Sequence, residues 1–213
     1  LDPHAGDVLA AASAPALASR EEAAPEAAVW NNRNFTFQFE PGSVFKIFTA
    51  AALLRSGAVD TSTVIDCSSG DLGGFTIHEA EGHEFGRTSF LDGFAGSSNV
   101  YFARAAANLG PQEQYRLLLD LGFGQRTSAP YPAQPAGLLH PPSRWSRRSQ
   151  ATIAIGQEVA VTPLQLGLAV AAVANGGTLL APRLVREIRD QDGHLVERRP
   201  PVALRRVLPA ATT

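Results

Sequence analysis

Apolar residues come in blocks along this chain, and the small and polar residues between the blocks decide what each one forms. Pro41-Gly42 is a turn signal, and from Ser43 an apolar run continues until Gly57 can close it, which predicts a helix of about four turns. Glycines 70, 73, 74, 82 and 86 then punctuate a loop-rich region. A second helical pattern begins at Thr88, is interrupted by Gly96-Ser97-Ser98-Asn99, and resumes from Val100 to Leu109. Small polar residues between two apolar helical segments mark a corner whose side chains can face a cleft. Thr162-Pro163-Leu164-Gln165 combines an N-cap threonine, a proline in the first turn and a glutamine set to complete a capping box, and Asn175-Gly176-Gly177 ends that helix. Between them the segment is apolar on every side, which predicts burial in the middle of the domain.

Strand signals lie towards the two ends. Residues 6–12 predict a short strand, followed by an Ala/Pro/Glu-rich stretch through Ala28 that reads as loop or weak helix. Leu179 to Arg189 and His194 to Arg198 flank Asp190-Gln191-Asp192-Gly193, a hairpin with Asp-Gly in its turn. No internal repeat is present. These patterns predict an α+β class, a mainly helical body with strands at its ends, with residues 1–213 forming one unit.

Composition narrows the function classes. With 45% hydrophobic and 18% charged residues the chain has the makings of an ordinary globular core. A formal charge of −2 gives no broad field for nucleic acid or an acidic membrane surface. The longest apolar run, Leu164 to Ala174, falls short of the roughly 20 residues of a membrane span. The sequence has no methionine and starts at Leu1, so any leader or anchor is expected upstream. Cys67 is the only cysteine, which rules out an internal disulfide and suits a small buried residue.

The chemistry concentrates at Ser43 and Lys46. All other basic residues are arginine, and Lys46 is the sole lysine. Arginine keeps its proton in a protein, whereas burial can bring a lysine amine to neutrality. Three residues apart on a helix, the two side chains share a face. A cation in the first turn opposes the helix dipole, so its presence asks for a reason beyond capping. A neutral amine beside a serine hydroxyl can take its proton and start acyl transfer, and the helix N-terminus offers N–H groups to an oxyanion. The plainer alternative makes Ser43 a cap and Lys46 a solvated surface residue.

The wider string Glu40-Pro41-Gly42-Ser43-Val44-Phe45-Lys46, with Asn32-Arg33 before it, resembles the first active-site motif of class B penicillin-binding proteins. Ser97-Ser98-Asn99-Val100 is similar to their second motif, Ser-x-Asn. The segments Ala151 to Gln157, Val161 to Leu166 and Asn175-Gly176-Gly177 resemble the family's buried central helix and its approach. Asp2-Pro3-His4-Ala5-Gly6 and Asp7 to Ala10 are similar to its opening and first strand. Ser-x-x-Lys with Ser-Asp-Asn and Lys-Thr-Gly is the motif set of β-lactamases and penicillin-binding proteins.

The resemblance implies a transpeptidase fold and an incomplete antiparallel sheet. It implies Ser43 as nucleophile, Lys46 as its base, Ser97 as proton relay and Asn99 as a contact to lysine and substrate amide. Its implied partners are a peptidoglycan stem peptide ending in D-Ala-D-Ala, β-lactam antibiotics and a membrane glycan polymerase, with no cofactor. The domain is then expected on the outer face of a bacterial membrane, anchored upstream. There are two departures. No Lys-Thr/Ser-Gly occurs, because Lys46 is the only lysine; family spacing puts that motif some tens of residues past Thr213, and residues 1–213 alone are then expected to be inactive. Glu158 stands where the family usually has glycine after Gly-Gln.

Three other readings compete. His78-Glu79-Ala80-Glu81-Gly82-His83 superficially resembles a zinc-hydrolase motif, but a spacing of five turns the second histidine about 140° away on a helix. A serine β-lactamase or β-lactam sensor would share the Ser43/Lys46 chemistry. A remnant of the same fold that only binds partners would have no need of it.

Overall fold

The computed structural model describes residues 1–14 and 32–212. Its helices are α1 (Arg33–Thr36), α2 (Lys46–Ser56), α3 (Phe90–Ala95), α4 (Asn99–Ala106), α5 (Pro111–Asp120), α6 (Ser149–Ala154) and α7 (Pro163–Ala174). The strands β1 (Val64–Asp66), β2 (Arg87–Ser89), β3 (Thr178–Leu180), β4 (Glu187–Arg189), β5 (Leu195–Arg198) and β6 (Ala203–Arg206) form three antiparallel pairs among the described residues, β1 with β2, β3 with β6 and β4 with β5. The class is α+β, as the patterning indicates. None of the described helices is long and apolar enough to cross a membrane.

Helix α2 is the hub. A 3₁₀ turn over Gly42–Phe45 leads into it, and Gly57 closes it in the left-handed conformation at φ 70°, where only glycine is free of strain. Phe45 and Phe48 have no exposed surface and meet Phe123 at ring-centroid distances of 5.0 and 5.1 Å. Ala50, Ala51 and Ala52 are buried too, so α2 is enclosed on nearly every side.

Helix α7 carries the capping box its sequence announces. Thr162 N–H donates to Gln165 Oε1 at 2.8 Å, and Gln165 N–H donates to Thr162 Oγ1 at 3.2 Å. The all-round burial expected for it is only half realised. Leu164, Leu168, Ala169 and Ala172 are buried, whereas Leu166, Val170 and Ala171 line an open groove of about 490 Å³ with Phe39 and Val44.

Other expectations are corrected. Residues 6–12 form no strand: Asp7 makes a single parallel bridge to Arg183, reinforced by their ion pair. Most of the stretch up to Ala28 lies outside the described residues. Thr88 begins no helix; it is buried opposite Ile65 in β2, and Ser89 caps α3 instead by accepting the Asp92 N–H at 3.1 Å. The run from Leu179 to Arg189 splits, because Pro182 has no N–H to continue a ladder, and β3 and β4 take different partners. The Asp-Gly hairpin is present, with His194 in its turn rather than its strand.

Candidate active site

Ser43 lies in the 3₁₀ turn and faces solvent, while Lys46, the first residue of α2, is only 2% exposed. From that position Lys46 Nζ donates to Ser43 Oγ at 3.2 Å, Ser97 Oγ at 3.0 Å and Asn99 Oδ1 at 2.7 Å, and also to the Ser97 carbonyl. The four residues singled out in the sequence therefore meet at one nitrogen. A solvated surface lysine, the plainer reading, does not describe this side chain.

Burial makes this lysine easier to deprotonate than a solvated one. Burial pulls its pKa down from 10.5 to about 8, and the negative charge of Glu79 pulls the other way. Four oxygens converge on a group that has three N–H donors when charged. A neutral amine can instead accept the serine proton.

Ser97 and Asn99 reach the lysine because the corner between α3 and α4 is bent by force. Ser97 has φ 56°, a left-handed conformation that costs a residue with a side chain about 1–3 kcal/mol. Both its carbonyl and its hydroxyl bond to Lys46 as a result. Ser98 is fully buried and caps α4 by accepting the Tyr101 N–H at 3.0 Å. Gly93 makes room, since a Cβ there would stand 2.8 Å from the Tyr101 ring.

A third segment supports the serine from below. Gly42 N–H donates to the Gly156 carbonyl at 3.0 Å, and a Cβ on Gly156 would stand 2.1 Å from the Gly42 oxygen. Glu158 has φ 57°, the conformation glycine adopts freely, which accounts for glycine being expected there. Here hydrogen bonds offset the strain. Its N–H donates to the Glu40 carboxylate at 2.8 Å, and its own carboxylate accepts from the Ser149 and Thr152 hydroxyls at 2.6 and 2.8 Å.

Two participants were not legible in the sequence. Glu79 accepts from the Ser98 hydroxyl and the Asn99 and Val100 N–H groups, and the His78 carbonyl accepts from the Asn99 amide. Two residues of the segment that superficially resembles a zinc motif, His78 and Glu79, thus brace the Ser-x-Asn corner. No spacing rule ties a loop acid to a helix start some twenty residues later. Cys67 is buried, and burial pushes its thiol up, away from the reactive thiolate.

Residues 1–212 match the family model described as the penicillin binding protein transpeptidase domain. Penicillin-binding protein PbpB of Mycolicibacterium smegmatis is 33% identical over 98% of this chain and 33% of its own length. A probable peptidoglycan D,D-transpeptidase PbpC of Pseudomonas aeruginosa is 30% identical over 88% of this chain and 33% of its own. The chain thus spans about a third of the length of these relatives. Among solved structures, penicillin binding protein 3 of Mycobacterium tuberculosis complexed with aztreonam superposes with a TM-score of 0.77 at 34% identity, over 85% of this chain and 41% of that one.

Proposed function

The chain belongs to the penicillin-binding protein transpeptidase family, and on that footing we propose that it forms a serine acyl-enzyme with D-Ala-D-Ala stem peptides and passes the acyl group to a neighbouring amine. The observation that carries this reading is the convergence of Ser43, Ser97 and Asn99 on the buried Lys46.

In the proposed reaction Lys46, neutral, takes the Ser43 proton as Oγ attacks the carbonyl of the penultimate D-alanine. The C–N bond breaks, and the proton passes through the Ser97 hydroxyl to the departing amine of the terminal D-alanine. Asn99 holds the lysine with Oδ1. An amine from a second stem then attacks the ester, returns a proton to Ser43 and leaves a cross-link. A β-lactam offers the same carbonyl on a ring whose amine cannot leave, so Ser43 stays blocked. This chemistry suits a domain on the outer face of the bacterial membrane, anchored upstream and working beside a glycan polymerase.

The test is labelling of the natural full-length protein with a fluorescent penicillin, followed by peptide mass spectrometry. The label is expected on Ser43 and is expected to vanish in Ser43→Ala, with little loss of stability because Ser43 is exposed. A label elsewhere, or none on the wild type, refutes the reading. Rapid release of a hydrolysed penicillin would identify a β-lactamase instead.

A further inference from the structure

Glu79 lies in a loop outside the family's motifs, yet it holds one of them. One carboxylate oxygen accepts the Ser98 hydroxyl at 2.6 Å and the Val100 N–H at 3.1 Å, and the other accepts the Asn99 N–H at 2.6 Å. Backbone N–H groups in a helix's first turn have no helical carbonyl to bond, and a carboxylate there also meets the positive end of the helix dipole. One residue earlier, the His78 carbonyl accepts from Asn99 Nδ2 at 2.8 Å. That contact settles which way the amide faces. Nδ2 points to His78, and Oδ1 is left to receive the Lys46 proton at 2.7 Å.

We propose that Glu79 is a positioning residue for acyl transfer: its carboxylate clamps the start of α4 so that Ser97 and Asn99 grip Lys46 in the reactive orientation. This inference rests on the acyl-transfer reading above.

Charge gives the clamp a second consequence. Glu79 is the charged group that raises the proton affinity of Lys46 against burial. The titratable groups that face Glu79 are Lys46 from α2 and Cys67 from the segment after β1. His78, His83 and Glu84 share its cavity of about 440 Å³, and Arg104 of α4 acts on Cys67. Loss of the carboxylate charge therefore has to move Lys46 towards neutrality at lower pH, while loss of the clamp lowers the rate at every pH.

The experiment measures penicillin acylation rate against pH, with melting temperature, for the natural full-length protein and its Glu79→Gln and Glu79→Asp variants. Ser43→Ala is the blank. In Glu79→Gln one oxygen of the clamp becomes an N–H₂ that faces an N–H. The expected result is a plateau at least tenfold lower and an acid limb displaced to lower pH, with Glu79→Asp restoring the position of the limb. Unchanged plateau and limb in Glu79→Gln overturn the inference. So does a rate loss that tracks a lowered melting temperature with the limb in place, since that describes a structural role only. A wild-type protein that never acylates overturns the acyl-transfer reading itself.

Discussion

Replacing Gly156 by alanine tests how tightly the serine turn is held. The new Cβ would stand 2.1 Å from the Gly42 oxygen and 2.7 Å from its nitrogen, and φ +79° is already strained for any side chain. Left-handed backbone costs a non-glycine residue about 1–2 kcal/mol. The Gly42-to-Gly156 hydrogen bond, 3.0 Å long, contributes about 1 kcal/mol. Relieving the overlap adds about 1 kcal/mol or more. A total near 3 kcal/mol lowers the melting temperature of a domain this size by about 6–12 °C. Ser43 adjoins Gly42, and a displacement of roughly 1 Å at the proposed nucleophile costs about a hundredfold in rate. Gly176→Ala is the control, because φ there is +84° but nothing lies within 4 Å of a Cβ. It bears the strain without the collision. Calorimetry and penicillin acylation of both variants decide the matter. If Gly156→Ala is no less stable and no slower than Gly176→Ala, the close approach of Gly156 to the serine turn does not govern the site.

Lys46 makes stability depend on pH with a defined sign. Its pKa falls from 10.5 to about 8 on folding, so below pH 8 both states hold the proton and the folded state bears the whole cost of burying it. That cost is about 3 kcal/mol. Between pH 8 and 10.5 the unfolded state binds more protons, so stability rises with pH. Denaturation of wild type and Lys46→Met across this window is expected to show the wild type gaining on the variant; a constant difference refutes it. Gln165 is 3% exposed and bonds to the Thr162 N–H and the Gln125 and Ala136 carbonyls. Gln165→Leu strands those groups at about 1–3 kcal/mol each, and urea titration is expected to show a loss of at least about 3 kcal/mol. A loss below about 1 kcal/mol would mean that water replaces the glutamine.

The sequence carried several features whose cause is local. Ser43 and Lys46 touch because three residues make about one helical turn. Thr162 and Gln165 cap because a capping box spans the same short reach, and Asp190 to Gly193 turns because its glycine takes φ +84°. Even there, short-range patterns misled where tertiary pairing decided. The three-residue strands β1 and β2 are too brief to show a period, and Thr88 reads as a helix start until Ile65 is seen opposite it. Helices α5 and α6 were not expected, although Pro111 in the first turn after Gly110 signals the former.

Only the fold brought Ser97 and Asn99, 51 and 53 residues along the chain, onto the lysine. Packing of Phe45 and Phe48 on Phe123 fixes the lysine, and burial, which no sequence pattern measures, moves its pKa. Glu79 and Gly156 hold the two sides of the site from distant loops, Glu79 by three hydrogen bonds at the start of α4 and Gly156 by one to Gly42. A contact between distant segments leaves no periodic trace in either, so the residues proposed to do the chemistry could be named from the sequence, while Glu79, which braces them, emerged from the three-dimensional arrangement alone.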